Sequence, residues 1–155
     1  MEDKVVKGGV KIMREQEEIV EYIKQLQREN NIFFGVVKME LICYLSYEYA
    51  KPYLRKNVTR EEWEPNRRVL TNEAIIKQIV EYMPFAWRMA NDTRGISANR
   101  SIYHIRVWLW LLNDGSLEKM DAIEYEHYGK EKLMFVCEHI GIDWRKYDDG
   151  IRING

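Results

Sequence analysis

The stretch from Arg94 to Gly115 constrains this fold more than any other, because it holds a whole helix together with signals for both of its ends. Ser97 suits an N-cap, where its hydroxyl accepts a backbone N–H at Asn99 or Arg100. Asn113, Asp114 and Gly115 are residues that leave a helix through a left-handed turn. Between these ends lie about four helical turns. Ile102, Ile105, Leu109 and Leu112 fall on one stripe, and Val107, Trp108, Trp110 and Leu111 make the second half apolar all round. Such a helix needs neighbours on several sides. Its first half differs: Arg100 and His104 share a face one turn apart, and Arg94 precedes them.

Neighbours for that helix are legible on both sides. Ile19, Ile23 and Leu26 recur at i, i+4, i+7 within a charged segment, which predicts an amphipathic helix over Glu15–Glu29, broken by Asn30 and Asn31. Phe33 to Ala50 reads as one helix buried on more than one side, with Val37, Leu41, Tyr44 and Leu45 on one stripe, stopped by Pro52. Residues 51–70 read as the longest surface connection, containing one short helix behind the capping box Thr59–Glu62. Thr71 caps a helix carrying Ile75, Ile79 and Met83, which Pro84 either kinks or separates from Phe85–Ala90. Ser116 is expected to cap a helix through about Glu126. A last helix, Lys130–Ile140, carries Leu133, Val136 and Cys137 and closes at Gly141.

These elements give an all-α domain over residues 14–147, a bundle of six or seven helices around the apolar element at about 97–112. Residues 1–13 are a tail or a small hairpin at Gly8–Gly9, and 148–155 a tail with a short strand at Ile151–Ile153; strands are confined to these termini. At 155 residues the chain can bury a core without disulfides or metal. Cys43 and Cys137 sit in apolar surroundings and read as reduced thiols, which with the charged N-terminus and the absence of a long apolar run points to a cytoplasmic chain that does not enter membranes.

Net charge is −1, so no global field draws the chain to nucleic acid, yet the charge is unevenly spread. Residues 51–106 carry eleven basic and six acidic side chains, whereas the segments on either side are acidic in balance. The basic middle third suggests a local surface for an anionic partner.

Catalytic and cofactor signals are sparse. Cys137 and His139 are two residues apart on a helix and point to opposite sides, so they do not form a metal site with His104 or His127. The glycine patterns that cradle phosphates in nucleotide-binding loops are missing, and no cofactor is expected. Arg100 and His104 carry the best enzymatic alternative, since an arginine can stabilise phosphate charge and a histidine can move protons. The run Asn99 to His104 resembles the Arg-(x4–6)-His motif of the all-α HEPN ribonucleases, with three residues between Arg100 and His104 instead of four to six. That resemblance implies RNA cleavage with Arg100 and His104 as catalytic residues. A second alternative is a helix-turn-helix DNA-binding regulator: Met83–Ala90, a turn at Gly95, and a helix from Ser97 that presents Asn99, Arg100 and Tyr103 to bases.

The leading expectation is an interaction or regulatory protein without catalysis. Its partner is an acidic protein or nucleoprotein, met by Arg67, Arg68, Arg88, Arg94, Asn99, Arg100 and Tyr103. Trp63, Trp87 and Trp144 are candidates for exposed anchors beside these charges. In composition the chain is similar to the small helical proteins of bacteriophages and mobile elements, which implies an inhibitor of a host system.

Overall fold

The computed structural model describes residues 13–92, 96–124 and 127–147, without the side chains of Asp92, Ile96, Ser97 and Tyr128. The expected terminal hairpin and strand, and the Arg94 side chain, lie outside these residues. The fold is all-α: eight α-helices and short 3-10 turns, with no strand among the described residues. None of these helices is long and apolar enough to cross a membrane. The contacts gather into two compact units, Met1–Ala74 and Ile75–Gly155.

In the first unit, α1 (Gln16–Arg28) forms where its periodicity predicts and buries Ile19, Ile23 and Leu26 against its neighbours α2 and α3. Glu18 accepts the backbone N–H of Glu15 at 2.8 Å, which occupies one of the amides that a helix start leaves free. Asn30, at φ +53°, ends the helix in the left-handed region.

The single helix expected over Phe33–Ala50 is instead two: α2 (Phe34–Ile42) and α3 (Tyr47–Ala50). Tertiary partners take the backbone groups that a continuous helix would have used. Gln16 Oε1 accepts the Ser46 N–H at 2.5 Å, Glu64 Oε2 accepts the Tyr47 N–H at 2.7 Å, and Trp63 Nε1 donates to the Leu45 carbonyl at 2.9 Å. The Arg68 N–H donates to the Cys43 carbonyl at 2.8 Å. Hydrophobic periodicity carries no trace of these polar partners, so the break is invisible to it.

The connection 51–70 is largely structured. Pro52 sits within a 3-10 turn, Lys51–Tyr53, and the Thr59–Glu62 box caps α4 (Arg60–Trp63) as the sequence indicates. The Thr59 N–H donates to Glu62 Oε1 at 2.9 Å, and the Glu62 N–H donates to Thr59 Oγ1 at 3.2 Å.

Thr71 accepts the Ala74 N–H at 3.1 Å and starts α5 (Asn72–Asp92). The helix runs unbroken through Pro84, because both halves are anchored: Ile79 and Met83 before it, Ala86, Trp87 and Ala90 after it, are buried. In the second unit α6 (Ile96–Leu112) has Ile102, Ile105, Val107, Trp108, Leu109, Leu111 and Leu112 buried. It begins one residue before the expected Ser97 cap. Asn113 at φ +55° and Gly115 at φ +87° make the predicted left-handed exit. The next helix, α7 (Ser116–Asp121), is shorter than expected, and Ser116 is its first residue rather than its cap. Asp114 Oδ1 accepts both the N–H and the hydroxyl of Ser116, at 3.0 and 2.5 Å. Finally α8 (Lys130–Ile140) buries Leu133, Val136 and Cys137 and packs against α7.

Candidate functional site

Helices α5 and α6 carry most of the residues singled out from the sequence. Tyr82 on α5 connects them: its ring centroid lies 5.4 Å from Phe85, 5.4 Å from His104 and 5.2 Å from Trp108. Phe85 follows Tyr82 by three residues and Arg88 follows Phe85 by three, so successive helical turns place them in a row. The Arg88 guanidinium lies 5.9 Å from the Phe85 ring centre, within cation–π reach. Phe85 is 42 % exposed.

On α6, Asn99 and Arg100 are exposed, while Ala98 and Ser101 on either side of them are buried. Arg88 and Arg100 form no ion pair among the described residues. Tyr103 is half-buried, with the Arg106 guanidinium 5.1 Å from its ring centre, and Arg106 is itself held by Asp121 through bonds of 2.9 and 2.6 Å. His104 lies one turn beyond Arg100 and packs between Tyr82 and Trp108, whose centroid is 6.1 Å away. Its Nδ1 is buried, and Ser101, its nearest serine in sequence, is buried too. The chemistry available on these helices is therefore two outward-facing guanidiniums, an exposed phenyl ring and a side-chain amide.

The other two arginines expected on the partner surface belong to the first unit and are engaged internally. Arg67 donates to Glu64 at 3.2 Å and Arg68 to Glu40 at 3.0 Å. Arg68 also lies beside the buried Tyr44, whose hydroxyl is pushed above its ordinary pKa mainly by burial. These two residues have identifiable work in fixing the loop before α5.

Of the tryptophans expected as exposed anchors, Trp87 lies in the core, whereas Trp63 and Trp144 are half-buried. Trp87 is fully buried and stacks on Trp144 at 6.0 Å with 14° between the rings. Trp63 is half-buried and donates to the Leu45 carbonyl. Periodicity places Trp87 on the same stripe as Met83 and Ala90, a signal that could have assigned it to the core.

Among the described residues no three His, Cys, Asp or Glu side chains converge in a way that could hold a metal ion. Cys137 is buried, and burial pushes its thiol up to about 11, far from the range of a reactive thiolate. His139 lies on the other side of α8, where its Nε2 donates to Asp114 Oδ2 at 2.8 Å.

Two surface features were not anticipated. Ile32, Val36 and Met39, spaced i, i+4, i+7 at and along α2, form an exposed apolar stripe, with Met39 53 % exposed. The sequence had suggested that this segment is covered on more than one side. The second is a groove walled by Tyr47, Lys51, Pro52, Leu54, Arg55 and Lys56. No known protein family, curated protein or solved structure matches this chain, and the chemistry of the site therefore rests on its own residues.

Proposed function

We propose that this chain is a non-catalytic binding protein that engages an acidic protein surface, alone or within a nucleoprotein, through Arg88, Asn99 and Arg100 around the exposed Phe85. The observation that carries the reading is the row Arg88–Phe85: an exposed aromatic ring with a guanidinium against it, on a helix whose opposite side is core. Aromatic residues and arginine are both enriched at protein interfaces. A carboxylate-rich partner would pair with the guanidiniums while Phe85 is covered. Arg67 and Arg68 support the loop instead of forming part of this surface. Phage or mobile-element origin, with inhibition of a host system, is the setting that the chain's composition suggests for such a protein, and the cytoplasm is its compartment.

The packing of His104 weighs against the ribonuclease alternative. A general acid or base must reach the proton that it moves, and His104 instead packs against the rings of Tyr82 and Trp108 with one nitrogen buried. For the DNA-binding alternative, burial of α6 at Ala98, Ser101 and Ile102 and again from Ile105 leaves few of its side chains to face a groove. The test is to incubate purified protein with end-labelled single-stranded RNA and duplex DNA at two salt concentrations and to run native and denaturing gels. The proposal expects intact, unshifted nucleic acid. Cleavage that His104→Ala abolishes, or a salt-sensitive duplex shift, would replace it with one of the alternatives.

A further inference from the structure

The groove on the first unit combines features that the proposed partner surface does not use. It encloses about 470 Å³, within the range of small-molecule sites. Lys51, Arg55 and Lys56 line it, all three exposed, and no carboxylate is among its lining residues. None of the three makes an ion pair among the described residues. Of the acids on either side in sequence, Glu48 pairs with Arg60, Glu62 accepts the Thr59 N–H at 2.9 Å, and Glu64 accepts the Tyr47 N–H at 2.7 Å and Arg67 at 3.2 Å. The Tyr47 N–H bond is the main cause that holds the Glu64 carboxyl below its ordinary pKa, so this acid remains an occupied acceptor near neutrality.

The apolar wall is equally defined. Tyr47 is fixed at both ends, through its N–H to Glu64 and through its hydroxyl, which donates to the Val58 carbonyl at 3.1 Å. Between these anchors the chain turns twice, with the Leu54 N–H on the Lys51 carbonyl at 3.2 Å and the Val58 N–H on the Arg55 carbonyl at 3.1 Å. Pro52 stiffens the first turn. Three cations are thus presented from a pinned loop beside an apolar surface formed by Tyr47, Pro52 and Leu54. Preorganisation of this kind lowers the ordering cost of binding.

We infer that this groove binds a small phosphorylated molecule, with its phosphate at Lys51, Arg55 and Lys56 and its apolar or planar body against Tyr47, Pro52 and Leu54. A phosphate matches three cations better than a single carboxylate does, because it carries close to two charges and three acceptor oxygens. The Arg55 fork can take two of these oxygens at once, and the lysines act as point charges.

The full chain would be titrated with ADP as the probe, and with adenosine and inorganic pyrophosphate as its two halves, by calorimetry at low salt. The expected result is that ADP binds at least about tenfold more tightly than either half, and that the double variant Arg55→Glu/Lys56→Glu weakens ADP binding by at least about tenfold. Its melting temperature should be unchanged. If that variant unfolds, Lys51→Gln/Lys56→Gln serves in its place, since it removes charge without reversing it. Charge reversal at Arg88 and Arg100 should leave ADP binding intact, which separates this site from the proposed partner surface. No heat with ADP, equal binding in the groove variants, or pyrophosphate binding as tightly as ADP would each overturn the inference.

Discussion

At the scale of single residues, the most informative side chain is one that the sequence did not single out. Lys132 is buried on α8, and its ammonium donates to the carbonyls of Met120 and Ile123 at 2.9 and 2.8 Å. A buried charge is costly unless its donors are used, and here they go to two carbonyls at and just beyond the end of α7, of which that of Met120 also accepts the Ile123 N–H at 3.1 Å. Burial lowers the Lys132 pKa from its ordinary value, with Asp121 acting in the opposite direction. Replacing Lys132 by Met would keep the volume and remove the donors. The expected loss is about 1–3 kcal/mol, read from urea unfolding, because the Ile123 carbonyl loses the ammonium and the Met120 carbonyl keeps the Ile123 N–H without it. An unchanged midpoint would show that solvent serves those carbonyls equally well. Lys132 escaped notice for a physical reason: a lysine in a charged helix reads as solvated, and only the tertiary fold reveals the carbonyls that it meets. Trp87 is the converse case, since charged sequence neighbours concealed a ring that is wholly in the core.

At the scale of elements, local chemistry was readable wherever both partners lie within a few residues. The Thr59–Glu62 box, the left-handed Asn113 and Gly115, and the Gly141 cap all stand where sequence places them. The break between α2 and α3 was not readable, because it depends on Gln16, Trp63, Glu64 and Arg68, remote in sequence from the backbone groups that they bind. The turn from α6 to α7 joins both kinds of information. Asp114 was expected as a turn former, but its carboxylate also accepts from Ser116 and from His139 on α8. Burial raises the Asp114 pKa, and these hydrogen bonds outweigh it, so the folded value lies below the ordinary one. Asp121 is likewise lowered, chiefly by its bond from Arg106. A carboxyl with a depressed folded pKa contributes stability that is fully present above its unfolded value and is lost as pH falls through the folded one. The melting temperature should therefore drop as the pH is lowered below about 4, the ordinary aspartate range. Asp114→Asn should cost about 1 kcal/mol near neutral pH and make that acid drop shallower, while Asp121 retains its share. Parallel melting profiles for the two proteins between neutral and strongly acid pH would contradict the role given to Asp114.

At the scale of the molecule, the all-α class and the burial of α6 were legible because they rest on long, strongly periodic segments. The candidate surface was only half legible. Composition pointed to the basic middle third, and exposure divides its arginines: Arg88 and Arg100 face outward, whereas Arg67 and Arg68 are tied to Glu64 and Glu40. Charge counts do not distinguish a paired arginine from a free one, and nothing in the sequence around Lys51–Lys56 reveals that a pinned loop makes it concave. The central claim is that Arg88 and Arg100 serve a partner and not the fold. The most direct measurement is to compare wild type with Arg88→Glu/Arg100→Glu for retention of an acidic protein from host lysate, identified by mass spectrometry, alongside the thermal melts of both proteins. The account predicts that the acidic partner is lost with the double variant while stability stays within about 0.5 kcal/mol per site, as for other surface changes. Equal retention by both proteins, or a variant that unfolds, would contradict it.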